Sequence, residues 1–303
     1  MDLAVALIRT TLNTTSLVAP RLAGRAAFAL FCRPLRRGRV RTIEREVHDR
    51  AVTEKLHVNG KSVTAYRWGS GERPVLLLHG WQSRTSRYAG FVPGLQALGL
   101  SPIGFDAPGH GDSAGQATTI LEYRELIGQL QEKYGEFEAV IAHSFGVTCA
   151  FYALRDGIRA GRLVAIAGVA EFGYLLDEFC AQLGLRPRVK RELREHIERR
   201  LFPQVPDLWN RFDATRRPQE VELPLLLVHD EDDAMVALQQ VHKLKAAYGE
   251  QAELLVTTGL GHRRILAEPT VVDNALGFLL DQPAEESRSC ALLLTDPTEA
   301  RTA

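Results

Sequence analysis

Ser144 stands in the stretch Val140-Ile141-Ala142-His143-Ser144-Phe145-Gly146, where a short apolar run ends and a helix-compatible segment, 147–154, begins. A strand that turns sharply into a helix with a serine at its apex presents the hydroxyl for nucleophilic attack. The usual spacing is Gly-x-Ser-x-Gly, and Ala142 takes the first glycine position. The turn needs small residues because helix and strand approach closely, so alanine is the mildest departure. A serine hydroxyl is a weak nucleophile at neutral pH and needs a base, itself held by a third group. Downstream, the run 223–228 ends in His229-Asp230-Glu231-Asp232-Asp233, and the run 252–256 is followed by Thr257-Thr258-Gly259-Leu260-Gly261-His262. An acid cluster and then a histidine therefore follow two later strand ends, in the order serine, acid, histidine. This is equipment for acyl transfer, and the Phe145 N–H at the start of the helix is placed to meet an oxyanion.

The elements that must position these groups alternate along the chain. Lys55 to Val58 and Val63 to Trp68 flank Asn59-Gly60, a hairpin signal. Pro74-Val75-Leu76-Leu77-Leu78 is apolar throughout, as expected of a strand buried on both faces, and ends in His79-Gly80-Trp81. Segment 86–98 reads as a helix, 102–105 as a strand, 119–134 as a helix, 163–168 as a strand and 265–280 as a closing helix. This rhythm predicts an α/β fold with a mostly parallel, doubly wound sheet covered on both faces. Between 171 and 221 the strands stop. That segment is helical and basic, and it is predicted to lie over the carboxyl ends of the strands, where ligands bind in open α/β sheets.

On these residues the chain resembles a member of the α/β-hydrolase superfamily over roughly residues 54–281. The resemblance implies the α/β-hydrolase fold with an inserted helical cap. It divides the chain into an N-terminal, arginine-rich helical arm (1–53), a core (54–170 and 222–281), the cap (171–221) and a C-terminal tail (282–303) expected to be poorly ordered. The acid loop resembles His-Gly-x-x-Asp-x-x-Val-Pro, with His229 first, Asp233 at the acid and Val236 at the valine. Asp230 stands where glycine is usual and Ala237 where proline is usual, so Asp232 competes for the acid role. Glu171 also competes, since some members carry the acid after the preceding strand. His262 matches the catalytic histidine, and Trp81 the second oxyanion donor through its backbone N–H. The implied activity is a serine hydrolase cleaving a small to medium carboxylic ester without a cofactor. Thioesterase, lactonase, carbon–carbon bond hydrolase, perhydrolase and acyltransferase chemistry use the same triad, and a non-catalytic binding protein is the rival of another class. Trp81, His143, Phe172, Tyr174, Phe179 and Trp209 are the candidate substrate contacts. Asp106-Ala107-Pro108-Gly109-His110-Gly111-Asp112-Ser113 reads as a structural loop supporting the serine turn.

Composition narrows the partners. The 303 residues carry 37 basic and 37 acidic side chains, which gives no global attraction to nucleic acid. Four scattered cysteines form no Cys-x-x-Cys pair, which suits a reducing cytoplasm. Five of nine histidines fall near predicted strand ends, but their spacing matches no zinc motif, so no metal is expected. Between Arg21 and Arg50, nine arginines face three acidic residues. Residues 20–41 are thus a candidate for peripheral contact with an anionic membrane, against the simpler expectation of a helix packed on the domain with its arginines in water. The oligomeric state is left open.

Overall fold

The computed structural model describes residues 3–280; the expectation for the tail at 282–303 lies outside them. Three helices come first: α1 (Leu3–Val18), α2 (Pro20–Phe31) and α3 (Thr42–Asp49). The helix begun at Pro20 stops at Phe31, ahead of Pro34, which cannot continue it. Strands β1 (Val52–Val58) and β2 (Lys61–Arg67) then form the hairpin. Asn59 and Gly60 both take positive φ, 47° and 72°, as a two-residue hairpin turn requires.

The chain continues through β3 (Pro74–Leu78), α4 (Val92–Ala97), β4 (Ser101–Phe105), α5 (Ile120–Tyr134), β5 (Ala139–His143), α6 (Phe145–Arg155) and β6 (Leu163–Ile166). The single helix expected over 86–98 is broken into a 3₁₀ turn at Thr85–Tyr88 and α4, with Gly90 and Pro93 at the break. Helix α5 opens with a capping box: Thr119 accepts the Glu122 N–H while the Glu122 carboxylate accepts that of Thr119.

The insertion follows as α7 (Phe172–Gln182), α8 (Pro187–His196) running into a π-helical turn, and α9 (Leu208–Arg211). The chain then completes the sheet with β7 (Leu225–Asp230), α10 (Gln239–Tyr248) and β8 (Ala252–Thr257). It ends on α11 (Gly261–Arg264) and α12 (Pro269–Leu280). Pro269 sets the start of α12, four residues later than the sequence rhythm suggests.

The eight strands lie in the order β1-β2-β4-β3-β5-β6-β7-β8, antiparallel from β1 to β4 and parallel from there on. Strands β3 to β7 are buried along their whole length, which is why they read as unbroken apolar runs. Alternate side chains feed two cores. Leu76, Leu78, Val140, Ala142, Leu163 and Leu225 face the layer of α5, α6 and α10. Val75, Leu77, Ile141, Val164 and Leu226 face that of α4 and α12.

The insertion has a core of its own. Phe172, Phe202 and Phe212 meet edge to face at 5.0–6.1 Å, and Phe212 packs on Tyr152 of α6. The N-terminal helices pack against this insertion. Gly24 of α2 lies so close to Glu192 of α8 that a Cβ would fall 2.4 Å from the Glu192 Cβ. Asn13 of α1 bridges the α7–α8 turn, donating to the Gly184 carbonyl and accepting the Arg186 N–H, each at 2.9 Å. Beyond α2, the connecting segment crosses to the core. Arg37 donates to the carbonyls of Gly111 (3.4 Å), Ser113 (2.5 Å) and Gly115 (2.6 Å), and Glu44 pairs with Arg87.

Candidate active site

Ser144 occupies the junction between β5 and α6 with φ 55° and ψ −123°, a strained backbone for a side chain other than glycine. The strain is held by the surroundings. The Ser144 N–H donates to the Ile166 carbonyl at 3.0 Å, and a Cβ on Gly146 would sit 2.4 Å from the Leu78 carbonyl oxygen. Residue 146 must therefore be glycine on space alone. Ala142 lies inside β5 in register with Leu78 and Ala165, without positive φ. Its methyl group fits the core, so the missing glycine costs nothing there.

The three groups from separate strand ends meet. His262 Nε2 lies 3.0 Å from Ser144 Oγ, and His262 Nδ1 lies 2.7 Å from Asp233 Oδ2. A carboxylate only accepts, so Nδ1 carries the proton and Nε2 offers its lone pair to the serine. Asp233 Oδ1 accepts the N–H groups of Met235 and Val236 at 2.8 and 2.9 Å, leaving Oδ2 for the imidazole. Burial pushes the Asp233 carboxyl up, but its bonds to His262 and these two N–H groups outweigh it and hold the pKa below the ordinary value.

The competing acids lie elsewhere. Asp232 is exposed and accepts the Gly259 N–H at 2.8 Å. Glu171 pairs with Lys243, which, against a smaller opposing effect of burial, lowers its pKa.

Asp230 is the residue that sequence reasoning passed over. It is fully buried, and its two oxygens accept Gly261 N (2.8 Å), Leu260 N (3.1 Å), Thr257 Oγ1 (2.8 Å) and Asp232 N (3.1 Å). It ties the acid loop to the loop that presents His262. Burial raises its pKa, but these donors overcome that and lower it. The only trace in the sequence is the aspartate in a usual glycine position.

The N–H groups of Trp81 and Phe145, on the segments that flank Ser144, donate no backbone hydrogen bond among the described residues. Gly80 brings the first of them close: a Cβ there would lie 2.7 Å from the Ser144 Cβ. His79 fixes this loop. Its Nδ1–H donates to the Gly80 carbonyl at 2.7 Å, and its Nε2 accepts the Ala107 N–H at 2.9 Å. Tyr123 Oη donates to the His79 carbonyl at 3.0 Å.

The loop 106–113 supports that arrangement. Asp106 is fully buried, accepts the N–H groups of Thr85 and Asp112, and pairs at 3.2 Å with Arg84, which also holds Asp112 at 2.6 Å. Gly111 lies against this carboxylate, with 1.8 Å left for a Cβ, so its type is dictated by Asp106.

The candidate substrate contacts separate. Trp81 is partly exposed, and its indole meets Phe145 edge-on at 6.2 Å. Tyr174 Oη bridges to the acid loop, accepting the Ala237 N–H at 3.0 Å and donating to the Met235 carbonyl at 3.3 Å. His143 is a correction. It is 3% exposed, and its Nε2–H donates to the His262 carbonyl at 2.8 Å. It therefore lies behind Ser144 and His262, because β5 is buried on both faces. Burial, with His262 beside it, lowers its pKa to about 3.

Phe172 belongs to the insertion's aromatic core. Trp209 is held there by Glu198 at 2.6 Å and by Arg194 stacked 4.2 Å above its ring. Phe179 meets Phe31 of α2 edge-on at 5.3 Å. Cys149 is buried in α6. Among the described residues, no three His, Cys, Asp or Glu side chains are grouped to hold a metal ion.

A mostly parallel sheet carrying a serine turn, an acid loop and a histidine loop on its carboxyl edge defines an α/β-hydrolase architecture. The model of the Alpha/beta hydrolase family matches residues 75–275, and the chain belongs to that family. No curated protein matches it in sequence. Solved structures share the fold at low identity. The mouse alpha/beta hydrolase domain-containing protein 10 is 16% identical with a TM-score of 0.59, covering 76% of this chain and 97% of its own. A monoacylglycerol lipase from Paleococcus ferrophilus is 20% identical with a TM-score of 0.56, covering 72% and 98%. An esterase from a Rhodococcus species is 16% identical with a TM-score of 0.55, covering 76% and 98%.

Proposed function

We propose that this protein is a serine hydrolase that cleaves a carboxylic ester of small to medium size through an acyl-enzyme on Ser144. One observation carries the reading: a continuous relay from Ser144 Oγ to His262 (3.0 Å) to Asp233 (2.7 Å), beside two unengaged backbone N–H donors. Ser144 Oγ adds to the ester carbonyl while His262 Nε2 takes its proton. The oxyanion is met by the N–H groups of Trp81 and Phe145. His262 then gives the proton to the departing alkoxide, leaving an ester on Ser144. Water, deprotonated by His262, attacks that ester, releasing a carboxylic acid and restoring the serine. Asp233 stays ionised throughout and stabilises the imidazolium. The insertion is read as a cap, with Tyr174 and Trp81 the side chains best placed to meet the acyl group. The lipase and esterase among the structural relatives agree with ester chemistry at the level of fold.

A fluorophosphonate probe followed by peptide mapping tests this, together with a panel of nitrophenyl esters. Labelling at Ser144 and loss of ester turnover in Ser144→Ala are expected. Full turnover in that variant, or a folded protein that never labels, would overturn the proposal, the second result favouring a ligand-binding role.

A further inference from the structure

Helices α1 and α2 carry apolar residues on their outer as well as their inner sides. A surface helix normally faces its apolar side inward. In α1 the side packed on the protein buries Leu12, with Ile8 beside it, and also carries polar anchors. Arg9 lies against Gly184, Asn13 bonds the α7–α8 turn, and Ser16 is buried. The side open to solvent repeats at helical spacing through Leu3, Leu7, Thr10, Thr14, Leu17 and Val18 and holds no charged residue. Leu3 is 85% exposed, Leu7 66% and Val18 87%. Helix α2 continues the surface with exposed Leu22 between Arg21 and Arg25. Its opposite side, Ala23, Gly24 and Ala27, is buried and in part packed against α8.

Within these helices and the segment that follows them, the charge has one sign. From Leu3 to Ile43 there are eight arginines and no acidic residue. Arg21, Arg25, Arg33, Arg36 and Arg39 are exposed, and none has a carboxylate within ion-pair distance among the described residues. Fixed leucines flanked by unpaired guanidinium groups match a surface that is apolar just below a layer of negative charge. Among the described residues, no helix is long and apolar enough to cross a membrane, so the contact would be interfacial.

From this surface we infer that α1 and α2 dock the protein on an anionic lipid bilayer, with Leu3, Leu7, Leu17, Val18 and Leu22 in the interface and the arginines on lipid headgroups. The docking is independent of the Ser144 chemistry, and the residues it uses lie outside that site.

Flotation of the full-length protein with vesicles tests it. Vesicles of phosphatidylcholine containing about 30% phosphatidylserine should carry the protein up, and phosphatidylcholine alone should carry far less. Each arginine near the surface is worth roughly fivefold in partitioning, so Arg21→Glu/Arg25→Glu should lower recovery more than tenfold and remove the lipid preference. Leu7→Ser/Leu17→Ser should lose flotation even at low salt. Both pairs are exposed, so melting temperature and nitrophenyl ester turnover should match the parent protein. Equal recovery on both lipids, or unchanged flotation of either variant, would overturn the inference. So would a dimer that Leu7→Ser/Leu17→Ser converts to monomer, which would assign the face to a second copy of the chain.

Discussion

Replacing Asp230 by asparagine keeps the side-chain volume and removes one acceptor oxygen together with the charge. Its four donors arrive in pairs: Gly261 N and Asp232 N on one oxygen, Leu260 N and Thr257 Oγ1 on the other. An asparagine satisfies one pair and turns an NH₂ toward the other. Hydrogen bonds to a charged group contribute about 1.5–3 kcal/mol each. Leu260 and Gly261 are partly exposed, so water replaces some of what is lost. The net cost is then about 2–3 kcal/mol, a fall in Tm of roughly 5 °C for a domain of this size. The catalytic effect follows from position. The loop that Asp230 holds is the one that sets His262, and displacement of a catalytic group by about 1 Å costs on the order of 100-fold in rate. Asp230→Asn should therefore lower kcat ten- to 100-fold with little change in KM. Thermal melts and steady-state kinetics on one nitrophenyl ester check this. A variant with parental Tm and kcat would mean that the histidine loop holds its own shape, and the assignment of Asp230 as a positioning residue would fall.

Gly80→Ala puts a methyl group 2.7 Å from the Ser144 Cβ, so initial rates should drop about 100-fold while the protein still folds. Asp233→Asn should cost roughly 10³–10⁴ in kcat, whereas Glu171→Gln, which only releases Lys243, should stay within about twofold; the reverse ranking would move the acid role to Glu171. Acid should destabilise the protein in two stages, read as Tm against pH. His110 and His143 stay neutral in the fold with pKa values of about 3, whereas the unfolded chain takes up protons below 6.5, so stability should begin to fall there. Asp230 and Asp233 have depressed folded values, so their contribution is present above the ordinary carboxylate range and is lost as pH falls through those values. A flat Tm between pH 7 and 5 would contradict the first stage.

Much of the fold was legible because the central strands are buried on both faces, a condition that forces unbroken apolar runs such as 74–78 and 225–228. The Asn59-Gly60 turn was legible because positive φ at two successive positions restricts residue type. The serine turn could be read through Ala142, since the physical demand there is size rather than φ. Asp230 was not legible, because three of its four partners are backbone N–H groups, two of them in a distant loop, and leave no mark on side-chain identity. The aromatic residues of the insertion misled for a related reason. A phenylalanine in a basic helical segment reads the same whether it lines a pocket or, like Phe172, fills the segment's own core. Periodicity also gives the two sides of a helix without saying which is inside, so the outward leucines of α1 had no signal of their own.

The bonds from Asn13 to Gly184 and Arg186 span 171 and 173 residues of sequence. The first helices of the chain are thus closed by partners made much later. During synthesis at about 5–20 residues per second, α1 waits roughly 10–40 s before α8 exists to receive it. Contacts of such separation form late in folding, because the loop they close is long. The arm is therefore a late fastening onto the insertion, made only after the α7–α8 turn has taken shape. Refolding followed by a probe on Asn13 should lag behind a probe on Trp68, and simultaneous signals would refute that order.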